Sequence, residues 1–246
     1  TTAIQNLLKC VGRAGMEVDE VVSAAIAAGD AVLSDTEREM GVVLADIGGG
    51  TTDVSIFING TVWHTVTLGV GGSYITQDVA IGLRLSPAIA EDVKKEHGHA
   101  IASEVDPEEE FMVASFGDEG RQAVPRWQLA SIIEARTEEI LSMIGKEIKR
   151  SGYDGLLPAG IVLTGGTAQL SGILGLGREV LDLPVRVGRP QNLHGLVDTV
   201  ENPAQAVGAG LLMWGSTEEA RPQLRSRPGP ASGGKFLDWL RAFLPG

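Results

Sequence analysis

Apolar residues recur at helical spacing in residues 3–14, "AIQNLLKCVGRA", where Ile4, Leu7, Leu8 and Val11 share a face and Gly15 follows as a stop. "VDEVVSAAI" reads as a short strand, "AAGDAVLSD" as a helix of small residues, and "GVVLAD" as a buried strand. "VSIFINGTVWHTVTL" predicts two strands joined by a two-residue turn at Asn59-Gly60. Helices follow from about Tyr74 and from Ser86, where Ser-Pro opens "SPAIAEDVKKEHG" and Gly98 closes it. Residues 100–126 hold the acidic run "EVDPEEE" and two strand candidates, "EFMVASF" and "RQAVP". The long helix "RWQLASIIEARTEEILSMIGKEIKRSG" lines up Leu129, Ile132, Ile133, Ile140, Leu141, Ile144 and Ile148 on its apolar side. Strand "AGIVLTGG", helix "LSGILGLGREVLDL", strand "PVRVG" and helix "NPAQAVGAGLLMWG" come next. Residues 215–234, "GSTEEARPQLRSRPGPASGG", have linker composition.

The last stretch, residues 235–246, segregates its side chains. At about 100° per residue, Phe236, Leu237, Trp239, Leu240, Phe243 and Leu244 gather on one face, and Lys235, Asp238, Arg241 and Ala242 fill the other. Such a helix is too short to span a bilayer, which needs about 20 apolar residues, but it can lie in the interface with its aromatic groups buried. Charge supports this picture. The chain carries −12 overall, yet residues 216–246 hold five Lys/Arg against three acids, leaving −14 on residues 1–215. A basic tail on an acidic body favours a peripheral contact with anionic lipid, while the acidic body disfavours nucleic acid. Cys10 is the single cysteine, so an internal disulfide is excluded and a reducing compartment is expected. The chain opens helix-like and without methionine, and is expected to begin inside a longer protein.

Chemistry concentrates in "DIGGGTTD", residues 46–53. The strand before it and the strand after it make a strand-turn-strand, unlike a Walker loop or a dinucleotide fingerprint, which place a helix after their glycines. Gly48, Gly49 and Gly50 bring backbone N–H groups close to anionic oxygens, and Thr51 and Thr52 add hydroxyl donors. Asp46 repels bare phosphate but favours one escorted by hydrated Mg²⁺. The plainer alternative is a glycine-rich hairpin turn with an aspartate cap. Gly165-Gly166, with Thr167 and Gln169 behind, ends a strand before a helix, and Gly71-Gly72 is similar; the three turns are expected to surround one nucleotide. His97 and His99 make no complete metal site, and Cys10 has no histidine partner in view. Ala204, Gly208 and Ala209 would let two helices approach closely.

"DIGGGTTD" with its hairpin, "GGSYITQDVAIGL", "LASIIEAR", "AGIVLTGGTAQLSGI", "RPQNLHGLVD" and "ENPAQAVGAGLL", in that order and through nearly all of residues 1–214, resemble the second half of the bacterial cell-division family FtsA. The first and fourth motifs alone belong to the wider actin, chaperone and sugar-kinase superfamily. "IIEAR", where the family usually has "IIEPR", and the order of the rest make the resemblance specific. It implies an α/β fold: half of an actin-like ATPase, with a ribonuclease H-like mixed sheet, helices and an inserted smaller α+β subdomain. Residues 1–82 and 154–214 would form subdomain IIA, 83–153 subdomain IIB, 215–234 a flexible linker, and 235–246 the family's membrane-targeting helix.

The same resemblance implies ATP and Mg as cofactors. Gly48 to Thr52 match the second phosphate loop, with Asp46 reaching Mg²⁺ through its water shell. Gly165, Gly166 and Thr167 match the adenosine motif, and Glu134 and Arg136 the helix bordering ribose and base. Implied partners are the FtsZ C-terminal tail, with Arg121 and Arg126 as candidate contacts, other divisome proteins, a second copy of the protein, and the membrane. The implied role is an ATP-binding adaptor that polymerises and tethers the FtsZ ring at the cytoplasmic face of the bacterial inner membrane, at the septum. An actin-like cleft closes on ATP from two halves, and nothing in these residues resembles the first phosphate loop or subdomain IC. A fragment is therefore expected, with at most weak ATPase activity in the full-length protein. The rivals within the superfamily are a pilus or envelope scaffold, a chaperone-type ATPase and a sugar kinase.

Overall fold

The computed structural model describes residues 2–114, 120–191 and 201–220, the last four by backbone alone. In chain order come α1 (Thr2–Arg13), α2 (Ala24–Val32), α3 (Asp35–Met40), β1 (Val42–Ile47), β2 (Thr52–Ile58), β3 (Thr61–Leu68), α4 (Gly72–Gly82) and α5 (Pro87–His97). Then follow β4 (Glu110–Ala114), β5 (Arg121–Pro125), α6 (Arg126–Ser151), β6 (Ile161–Thr164), α7 (Ile173–Leu181), β7 (Val185–Val187) and α8 (Ala206–Ala220).

Five strands make the main sheet in the order β3-β2-β1-β6-β7, antiparallel on the hairpin side and parallel between β1, β6 and β7. The hairpin turns at Asn59 (φ 50°) and Gly60 (φ 73°), both positive as a two-residue turn of this hand requires. Successive β1 residues alternate between faces. Val43, Ala45 and Ile47 join the core formed with α4, α5, α6 and α7, while Val42 and Leu44 join a smaller core with α2 and α8. β4 and β5 form a separate two-stranded sheet at the start of α6. The long helix α6 belongs to both regions: Leu129 and Ile133 lie near this hairpin, and Ile140, Leu141, Ile144 and Ile148 continue into the core beneath the main sheet.

Three local expectations change. Residues 18–26 are not a strand: 18–23 pair with no described strand, and 24–26 open α2 with the alanine-rich segment. Helix α8 continues to Ala220, six residues into the segment read as linker, since Ser216–Ala220 lacks any Gly or Pro to stop it. The turn after β6 is a single 3₁₀ turn (Gly166–Gln169), and α7 starts only at Ile173. Helix α1 forms as the spacing predicts, but buries none of its residues.

Of the three small residues read as allowing close helix approach, only Ala209 packs in the core with α2, and the close approach itself is made at Gly210. A Cβ on Gly210 would overlap the Ala27 carbonyl of α2, and Ala206 and Ala209 are buried beside it. Ala204 and Gly208 lie on the exposed side, with Leu211 and Leu212. Gly210→Ala must push two backbones apart, so a loss of about 1–3 kcal/mol is expected in chemical denaturation. A variant as stable as the original would show that the two helices have room to separate.

Candidate functional site

The three glycine turns meet. Gly48 N–H donates to the Thr51 carbonyl (2.9 Å), which closes the loop between β1 and β2. Gly72 N–H donates to the Gly48 carbonyl (2.9 Å) and Ser73 N–H to the Gly49 carbonyl (2.8 Å), so the first amides of α4 hold this loop. Gly71 has to be glycine: a Cβ there would lie 2.6 Å from the Gly48 oxygen and 2.7 Å from that of Gly49. From the third turn, the Thr167 hydroxyl donates to the Gly48 carbonyl (3.2 Å). Gly165 takes φ 86° and its Cβ position is filled by Asp46 and the Ile47 carbonyl, 2.5 Å away. Gly49 and Gly50 are exposed, and neither amide donates to another described residue.

Between these turns opens a cleft of about 610 Å³. Gly48, Gly49, Gly72, Gly166 and Thr167 form one part of its wall, and α5 supplies the charged remainder with Glu91, Lys94 and Lys95. Lys94 is held by three acceptors: the Gly72 carbonyl (3.2 Å), Thr76 Oγ1 (2.9 Å) and Glu91 Oε2 (2.6 Å). Hydrogen bonds from Lys94, Thr76 and Lys95 outweigh partial burial and hold the Glu91 carboxyl below the usual carboxylate range. Lys95 also pairs with Glu91 (3.1 Å) while staying exposed, so the cleft has one largely buried and one exposed ammonium group. Sequence reading missed these three residues. The available signal was an acid followed at i+3 and i+4 by lysines, a pattern that usually marks only a solvated helix face.

Asp46 lies behind the cleft wall, at the end of β1, paired in register with Asp53 on β2 and Thr164 on β6. Burial, and then the Asp53 charge, push its carboxyl up to about 6. Asp53 accepts a hydrogen bond from the Thr67 hydroxyl. Two carboxylates at one seam suit a divalent cation, yet no group of three or more His, Cys, Asp or Glu is gathered to hold one among the described residues. These residues fit Mg²⁺ that arrives with phosphate and keeps its waters, rather than a protein-built metal cage.

Other sequence-predicted residues are placed elsewhere. Thr52 is fully buried and its hydroxyl donates to the Val70 carbonyl (2.8 Å), so it is no donor to the cleft. Thr51 is exposed in the loop. Glu134 accepts the Ala102 amide (2.9 Å), and Arg136 pairs with Asp78 of α4 (2.6 Å) and with Glu139; neither lines the cleft. Arg136 instead walls a groove of about 630 Å³ between α4 and α6. Arg126 donates to the His97 carbonyl (2.8 Å) and to Glu109 (2.7 Å), which removes it as a free partner contact, whereas Arg121 stays exposed on β5. Phe236, Leu237, Trp239, Leu240, Phe243 and Leu244 lie outside the described residues, as does the linker beyond Ala220. No helix among the described residues is long and apolar enough to cross a membrane.

A family model described as "Cell division protein FtsA" matches residues 43–210. The cell division protein FtsA of Pseudomonas aeruginosa is 41% identical over 218 residues, covering 89% of this chain and 52% of the relative. That of Bacillus subtilis is 41% identical over 213 residues, covering 87% and 47%. The chain thus spans about half the length of the curated relatives it matches. Among solved structures, MreB5 of Spiroplasma citri bound to ADP superposes with a TM-score of 0.71 at 20% identity, covering 89% of this chain and 67% of that one. The MamK double helical filament superposes at 0.62 with 20% identity, covering 85% and 63%.

Proposed function

The chain belongs to the FtsA family of cell-division proteins and has the actin-like fold, and from that premise we propose that it binds Mg-ATP in the cleft between its three glycine turns. The observation that carries this reading is their convergence: Gly72 and Thr167, far apart in sequence, both bond the Gly48 carbonyl, while the amides of Gly49 on the cleft wall and of exposed Gly50 donate to no other described residue. Those amides suit phosphate oxygens, and Lys95 is an exposed cation on the wall of the same cleft. Mg²⁺, when bound, would offset the phosphate charge; Asp46 and Asp53 would hold its water shell, and the Glu91 carboxylate on the cleft wall would offer an acceptor suited to a ribose. This cleft is open on one side, so binding by the chain alone should be weak, with a dissociation constant of about 0.1 mM or above, and without turnover. Calorimetry with Mg-ATP and a phosphate-release assay test both; steady turnover by this chain alone would overturn the half-cleft reading.

In the whole protein the bound nucleotide would control conformation and self-association, and the protein would act as an adaptor joining FtsZ to the cytoplasmic membrane at the septum. The inserted region around 83–153 is the proposed seat of the FtsZ tail. Exposed Arg121 and the groove beside Arg136, with Ile132 in its lining, offer the cationic and apolar contacts such a tail needs. A tail peptide should shift amide signals mainly in residues 83–153, and Arg121→Glu should weaken it several-fold. Shifts confined to residues 159–190 would rule this out.

A further inference from the structure

The cleft and the Arg136 groove share one helix. Helix α4 is about 16 Å long and delivers residues to both sites. At its start, Gly72 and Ser73 bond the Gly48 and Gly49 carbonyls and line the cleft. One turn on, buried Thr76 bonds Lys94 and Glu91, the fixed part of the cleft's charged wall. Asp78 and Gly82 then line the groove.

Each of these contacts is tight. Asp78 takes the Arg136 guanidinium at both oxygens, 2.6 and 3.2 Å, an arrangement that fixes orientation as well as distance. The same guanidinium lies 5.9 Å over the ring of Tyr74, the residue after Ser73. At the far end, a Cβ on Gly82 would lie 2.7 Å from Ile132 Cδ1, so helix and groove floor are already in close approach. Bonds at its start to the glycine loop and at its middle to Arg136 thus tie one helix to both sites.

We infer that α4 couples the two sites, so that filling the cleft repositions Asp78 and, through it, the Arg136 side of the groove. This rests on the nucleotide reading of the cleft. A ligand that draws the Gly49 and Gly50 amides inward pulls on the loop carbonyls to which Gly72 and Ser73 are bonded. Helix α4 follows, and Arg136 follows Asp78. Asp78 and Arg136 are positioning residues here, since neither lines the cleft. By reciprocity, a ligand in the groove changes nucleotide affinity by the same factor as nucleotide changes its own.

The test is a Mg-ATP titration of the full chain followed by backbone and arginine side-chain NMR, with Asp78→Asn, Arg136→Gln and the conservative Asp78→Glu alongside. In the unaltered chain, shifts are expected at Gly48–Gly50, Gly72 and Ser73, and also at Gly82, Ile132 and the Arg136 Nε. Asp78→Asn and Arg136→Gln should keep the cleft shifts and lose those at Ile132 and residue 136, and Asp78→Glu should restore them. Two substitutions from opposite sides of the pair keep the test open if one variant fails to fold. Cleft shifts without groove shifts in the unaltered chain overturn the coupling, as do groove shifts that survive both substitutions. Absence of cleft shifts at saturating Mg-ATP overturns the nucleotide reading itself, a separate result.

Discussion

Asp46→Asn is expected to make the ligand-free chain more stable at pH 8 and, in the whole protein, to weaken Mg-nucleotide binding. The structure sets the sign of the first effect. Burial, with the Asp53 charge, pushes the Asp46 carboxyl from an ordinary 3.8 up to about 6. A carboxyl raised in the folded state favours folding when protonated, and that contribution is lost as pH rises through 6. At pH 8 the ionised group therefore costs about 2–3 kcal/mol, which the neutral amide avoids. The gain should fall by roughly half near pH 5 and vanish toward 3.8. Nucleotide binding should change in the opposite direction by roughly ten- to a hundred-fold, the usual consequence of removing one charged hydrogen-bonding partner. Denaturation at pH 8 and pH 5 without Mg²⁺, and Mg-ATP titration of the whole protein, measure the two. A variant less stable at pH 8, or stabilised equally at both pH values, would remove the electrostatic account of this position. Stability given up at a functional carboxylate is a common trade.

Deleting residues 235–246 should release the chain from anionic liposomes. At helical spacing six large apolar side chains of this segment would share one face, and each is worth roughly 1.5–3 kcal/mol when fully buried. Partial insertion of all six is enough to offset the ordering of a short helix. Basic residues in 221–241 add attraction to anionic headgroups that salt screens. Co-sedimentation should therefore fall with added salt without disappearing, because the apolar contribution survives screening. Trp239→Glu should act nearly as strongly as the deletion, since it replaces the largest apolar side chain of the segment with a charge. If the deleted chain sediments with the vesicles as well as the original, the membrane contact lies elsewhere.

Several functional features were legible from residue order alone. "GVVLADIGGGTTDVSIFING" predicted β1, the glycine loop, β2 and the hairpin turn, and the structure has each in place. The ordered motifs identified the family before any coordinates. Other side chains are placed by contacts with distant chain that residue order does not show. "IIEAR" looked like a wall of the ligand site by resemblance, yet Glu134 caps the Ala102 amide and Arg136 turns toward Asp78. Thr52 looked like a free hydroxyl beside a phosphate loop, but β2 turns it inward onto the Val70 carbonyl.

The division has a physical origin. Periodicity, turn chemistry and glycine tolerance act over a few residues, so the sequence by itself determined the strands, most helices, the Asn59-Gly60 hairpin and the three glycine turns. Hydrogen-bond partners across 22 residues, as between Lys94 and Gly72, or 119, as between Thr167 and Gly48, exist only once the chain has returned on itself. Tertiary structure alone decided that Glu91, Lys94 and Lys95 wall the cleft, that α4 lines both the cleft and the Arg136 groove, and that half-buried Asp46 sits beside a second carboxylate with its proton affinity raised. Burial and pairing set those properties, and neither is a property of neighbours in sequence.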